Sequence, residues 1–227
     1  MNRKEKENEI FELWRCRHPD KTIIPDGIVC EEIYNSSKIK ILFLLKEVNY
    51  EGKDEWDLRS FLYKGGRPLT WRPAARWLKG IFSLPQKMSF EHTAKICNEE
   101  RAELLQHIVC INLKKYGGGA RTIKKTLQAF ARKGKDLLNM QFGLYKDADY
   151  VICCGPDVMN LAKELITFIY DADRWQTLTE TNVSYLEFAP QKYVIGFFHP
   201  QQRTYKHKDI YEKLINTIAV LEERKKQ

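Results

Sequence analysis

Residues 39–52 read I-K-I-L-F-L-L-K-E-V-N-Y-E-G, and no other stretch limits the possible folds as tightly. Residues 41–45 are five consecutive apolar side chains, the length and composition of a strand buried on both faces. The run then breaks into Lys46, Glu47, Asn49 and Tyr50, and Gly52 closes it. A buried strand that empties into polar groups is how an open α/β sheet delivers side chains to a ligand crevice. Three later runs repeat the pattern. Residues 107–113 (H-I-V-C-I-N-L) end on Asn112, residues 149–154 run into Gly155-Pro156-Asp157, and residues 193–198 run into His199-Pro200-Gln201-Gln202-Arg203.

Helix-length segments separate these runs. Amphipathic spacing predicts helices near 9–14, from Pro73 through Ile81, over 90–106 with Ser89 as cap, over 122–140, over 158–170 and over 209–223. Residues 28–34 read as a short strand or edge extension, and 182–188 as a strand beside the fourth run. Strands joined by helices of this length pair in parallel through right-handed crossovers. The expected fold is α/β: a three-layer α/β/α sandwich around a mostly parallel sheet of about four strands, in one domain over 1–227. The strands' carboxyl ends then share one edge, which brings together Glu47 with Asn49, Asn112, Gly155 and His199.

Composition narrows the function classes. The 227 residues are 43% hydrophobic and 30% charged, which excludes a disordered chain. A formal charge of +8 favours a polyanionic partner such as nucleic acid. The six cysteines form no C-x-x-C pair, and Cys110 and Cys153 lie inside apolar runs. They read as reduced, core-filling thiols, so neither a disulfide frame nor a metal site is expected. No apolar run approaches the ~18 residues of a membrane span, and no signal peptide is visible. A monomer in the cytoplasm is the expectation.

Taken together, the strand ends resemble the uracil-DNA glycosylase superfamily, in order, from about Ile39 to Tyr205. The family's first motif, a carboxylate or amide after the first core strand, falls on Glu47. Its base-reading Asn at the end of a hydrophobic strand falls on Asn112, and its His-Pro pair after the last strand on His199-Pro200. Leu45 stands where the family has Gly, Val48 where it has Pro, and Gln201-Gln202-Arg203 follows the His-Pro pair.

The resemblance implies cleavage of the bond between a base and its sugar, without metal or organic cofactor. Glu47 would hold a water and stabilise the cationic sugar, and His199 would donate to the base oxygen as charge develops there. These two are the catalytic candidates. Asn112 and Asn49 are base-binding candidates, because an amide offers both a donor and an acceptor to a flipped pyrimidine. Lys115, Arg121 and Arg203 are candidates for the phosphates of DNA, single- or double-stranded, with Tyr205 or Arg203 filling the gap left in the stack.

Each residue also has a plainer account. Glu47 could pair at the surface with Lys46 or Lys53, Asn112 could cap a turn, His199-Pro200 could be a structured turn, and Trp56, Phe61 and Trp71 could be core. Two rival functions keep the fold: a nucleic-acid or modified-base binding protein without turnover, and an enzyme acting on free nucleosides or nucleotides.

Overall fold

The four apolar runs form the centre of one sheet. The computed structural model of the chain describes residues 2–50, 52, 56–119, 121–169 and 174–226; Lys53, Ala120 and Tyr170 lie outside them. The central strands are β2 (Ile41–Leu45), β3 (Ile108–Asn112), β4 (Tyr150–Cys154) and β7 (Lys192–Phe197), all parallel, in the order β3-β2-β4-β7. Among the described residues the sheet has seven strands rather than about four. Strand β1 (Gly27–Ile28) adds antiparallel to β3 at one edge, and β6 (Val183–Ala189) and β5 (Gln176–Leu178) add antiparallel beyond β7 at the other.

Every residue of β2, β3 and β4 is buried, because helices cover both faces. Successive side chains of a strand point to opposite faces. Ile41, Phe43 and Leu45 accordingly pack with α3 (Leu58–Tyr63), α4 (Pro68–Phe82), α5 (Asn98–Gln106) and α9 (His207–Arg224). Leu42 and Leu44 pack with α1 (Arg3–Arg17), α6 (Lys124–Lys133), α7 (Lys135–Gly143) and α8 (Pro156–Leu165). On the first face Trp77 sits between Phe43, at 6.3 Å, and Phe197, at 5.5 Å. Such ring pairs add about 0.5–1.5 kcal/mol beyond area burial.

Several helix boundaries differ from the sequence expectation. Helix α4 starts at Pro68 rather than Pro73, using a residue whose fixed φ suits a first turn and whose missing N–H costs nothing there. The segment 122–140 is two helices, broken at Gly134. A side chain there would lie 1.8 Å from the Trp14 ring, which stacks on Phe130 at 4.8 Å. The segment 90–106 is a short turn, Glu91–Thr93, followed by α5, whose cap is Cys97 and not Ser89; Ser89 bonds His92 instead, at 2.8 Å. Of residues 28–34 only the first is strand, and α2 (Glu31–Ser36) takes up most of the rest. All six cysteines are free, with Cys110, Cys153 and Cys154 buried. No helix among the described residues is long and apolar enough to cross a membrane.

A buried polar cluster lies at the β1–β3 edge, on the face of α1 and α7. Lys115 Nζ donates to both oxygens of Asp26, at 2.8 and 3.0 Å, and to Gln141 Oε1, at 2.7 Å. Glu7 accepts from Tyr145 at 2.6 Å, from Gln141 at 3.2 Å and from Arg59 at 3.2 Å. Burial pushes the Glu7 carboxyl up to about 7, against the pull of Arg59. Glu7, Asp26, Lys115 and Arg59 thus share one buried compartment. The cluster also reaches the strand ends, since Asp26 accepts the Asn112 backbone N–H at 2.8 Å.

Candidate functional site

The central strand order reverses between β2 and β4: the chain leaving β2 returns in β3 on one side, and the chain leaving β4 returns in β7 on the other. Loops that diverge in this way open a crevice beyond the strands' carboxyl ends. A cavity of about 920 Å³ occupies that place. All four strand ends contribute: residues 45–50 after β2, Asn112 with Gly119 and Thr122 after β3, residues 154–156 after β4, and 198, 199 and 201–203 after β7. Helices α3 and α4 close the remaining side with Phe61, Arg67, Thr70 and Trp71.

The floor is set by pairing that continues past β2 and β3. Leu45 is level with Asn112, and the backbone bonds Leu113 N to Leu45 O and Lys114 N to Lys46 O, both 2.9 Å, extend the ladder. Glu47 and Lys114, each two residues past a strand, meet as an ion pair at 2.5 Å with side chains 4% and 5% exposed. Glu47 is therefore a buried carboxylate with a cation of its own. Lys46, one of the partners considered from sequence, bonds Asp157 at 3.0 Å instead. The loop after β3 then lies directly on the loop after β2: Gly118 N donates to Val48 O at 2.9 Å, and Tyr50 N to Gly118 O at 3.0 Å. A side chain at Gly117 would come within 1.8 Å of the Tyr50 carbonyl oxygen, so the approach requires glycine.

Asn112 is 3% exposed and lines the cavity. Its backbone N–H is held by Asp26, while its side-chain amide has no hydrogen-bond partner among the described residues. The amide opens onto the cavity, where a ligand or water can satisfy it. Asn49 is exposed at the lip of the same cavity and pairs through its backbone with Gly118.

His199 is fixed from the β7 side. Its Nδ1 accepts the Gln201 backbone N–H at 3.1 Å, and Gln201 is in turn held by the Thr70 hydroxyl at 2.9 Å. Burial, together with the positive charge of Lys46, pushes the imidazole down to about 4. At neutral pH the ring is uncharged, and with Nδ1 accepting, the proton resides on Nε2. The site therefore holds a neutral N–H donor.

This depression has a measurable sign. Between about pH 4 and 6.5 the unfolded chain binds a proton at this histidine that the folded protein excludes, so this group makes stability rise with pH across that window. Histidine NMR is expected to show an Nε2–H tautomer at pH 7 and no titration of His199 until about pH 4. A midpoint near 6.5 would contradict the assignment.

The walls are aromatic. Tyr50 and Trp56 meet edge to face at 5.4 Å, and Trp56 and Phe61 at 5.5 Å, with Trp71 and Phe198 completing the lining. Trp71 belongs to the core as well, whereas Phe61 is exposed. Among the described residues no group of three His, Cys, Asp or Glu side chains is placed to hold a metal ion.

The phosphate candidates separate. Lys115 is corrected: the parity that aims Asn112 at the cavity and Lys114 at Glu47 sends Lys115 to the opposite face, where it is 1% exposed and bonded to Asp26 and Gln141. It cannot reach a phosphate. Arg203 is exposed and lines the cavity, and Arg121 is exposed between the lining residues Gly119 and Thr122. Tyr205 is exposed with its ring 5.1 Å from Phe198. Sequence reasoning missed Lys114, Arg67 and Thr70. Lys114 was detectable in principle, being as far past β3 as Glu47 is past β2.

Comparison with family models, with curated proteins and with solved structures returns no match to this chain.

Proposed function

We propose that the protein is a hydrolase of the N-glycosidic bond, releasing uracil or another damaged base from DNA. The observation that carries this reading is the meeting of Glu47, Asn112 and His199, from three different strand ends, in one aromatic-walled cavity. The helices on both faces support the three-layer form of the fold that the reading assumes.

A planar base fits between aromatic walls, with its edge toward the unpartnered amide of Asn112. The neutral Nε2–H of His199 donates to a base carbonyl oxygen as that oxygen gains negative charge. A preformed donor of this kind is worth about 10²–10³ in rate. Glu47 faces the sugar, stabilises positive charge at the anomeric carbon and orients a water. The water oxygen bonds that carbon, the glycosidic electron pair leaves with the base, and the water's proton ends on the base nitrogen. Lys114 keeps the buried carboxylate paired in the absence of substrate.

That same ion pair favours a second reading. A cation 2.5 Å from Glu47 offsets its field at the sugar, as would suit a protein that binds a modified base without cleaving it. Incubation with oligonucleotides carrying uracil or oxidised and deaminated pyrimidines separates the two. Free base in solution supports the hydrolase, and tight binding without release supports the binder.

A further inference from the structure

We infer that the strand crossing the mouth of this cavity is a single, unpaired polynucleotide. The inference rests on the base-binding reading of the cavity and adds the form of its substrate. Two independent features of the rim point the same way.

The first is charge. Arg3, Arg15, Arg17, Arg59, Arg132 and Arg224 all pair with carboxylates. Arg67, Arg72, Arg121 and Arg203 are exposed and have no acid partner among the described residues; Arg67 and Arg203 line the rim, Arg121 lies in the chain between the lining residues Gly119 and Thr122, and Arg72 follows the lining residue Trp71. Lys46 and Glu47, also lining the cavity, are already neutralised by Asp157 and Lys114. Free guanidinium groups ringing an otherwise balanced cavity are complementary to phosphates on either side of a bound base.

The second is apolar exposure. Seven large apolar side chains are exposed among the described residues, and four of them line this mouth, contact a lining residue or adjoin one in the chain. Phe61 lines it, Leu69 lies between the lining residues Arg67 and Thr70, Ile123 follows Thr122, and Tyr205 packs on Phe198. A duplex would press its hydrated sugar–phosphate walls on these groups, since its base faces are covered by one another. An unpaired strand offers bare base faces, which stack on exposed aromatic rings while arginines follow the backbone. An unpaired base also enters the cavity without first being extruded from a stack.

The test is fluorescence anisotropy with labelled oligothymidine, its duplex with oligoadenine, and oligouridine, each at several salt concentrations. None carries a scissile damaged base in DNA, so binding is read apart from cleavage. The single strand is expected to bind at least about tenfold more tightly than the duplex. Each of Arg67→Ala, Arg121→Ala and Arg203→Ala is expected to reduce the salt slope by about 0.7, the value for one phosphate contact on a single strand. Tyr205→Ala is expected to weaken the single strand about tenfold, the loss of one stacked base. Leu13→Ala, on α1 across the molecule, is expected to change nothing. A preference for oligouridine over oligothymidine would support the inference and assign the sugar. Duplex binding as tight as single-strand binding, or single-strand binding indifferent to both salt and Tyr205→Ala, would overturn it. Base release seen only from duplex would overturn it while leaving the hydrolase reading intact, and single-strand binding with no release would do the reverse.

Discussion

Replacing Lys115 with methionine is expected to destabilise the protein by about 3–5 kcal/mol, the usual cost of removing one partner from a buried ion pair. For a chain of this size that lowers the melting temperature by roughly 6–20 °C. The magnitude follows from what is left behind. Asp26 is fully buried, and Lys115 is the cation that bonds both its oxygens. Without it, Asp26 and Glu7 share one compartment with Arg59 alone. The double variant Lys115→Met/Asp26→Asn removes both charges and keeps an oxygen for the Asn112 N–H, so it is expected to recover most of the loss. Thermal and urea unfolding measure both. A loss under about 1 kcal/mol for the single variant would mean that water reaches the pair once the lysine is gone, and the cluster would not be a structural anchor. The matter bears on function because the cluster holds Asn112, whose amide faces the cavity, by its backbone.

The second large effect concerns Glu47. Glu47→Gln is expected to reduce base release by at least about a hundredfold, because a neutral amide neither stabilises a cationic sugar nor activates water. It also leaves the Lys114 ammonium buried without its carboxylate, so part of any loss could come from disturbed folding. The double variant Glu47→Gln/Lys114→Met resolves this. It is expected to restore the melting temperature toward the wild-type value and to leave release as low as in Glu47→Gln. If the double variant restored release as well, Glu47 would be a structural carboxylate and the mechanism would lose its centre.

The central strands were legible in the sequence for a physical reason. A strand covered on both faces must be apolar along its covered length, so residues 41–45, 108–111 and 150–154 announce themselves without reference to their neighbours. Edge elements carry no such mark. Strand β1 is two residues long, and β5 exposes two of its three, too little for any period to show. The polar ends of the buried strands were legible as well, and the shared edge of the parallel strands puts Glu47, Asn112 and His199 in the lining of one cavity. What stayed hidden were choices made by tertiary contact. Trp14 dictates the helix break at Gly134, and strand parity sends Lys114 to Glu47 and Lys115 to the opposite face. Adjacent lysines look alike in a sequence. Only the register tells them apart.

The most direct test of the account is free-base release from a uracil-containing single strand by the wild type, Glu47→Gln and His199→Asn, measured at pH 7. The expected result is release by the wild type and a loss of about a hundredfold or more in each variant, with both variants folded. No release by a wild type that binds the strand, or release unchanged in the variants, would contradict it.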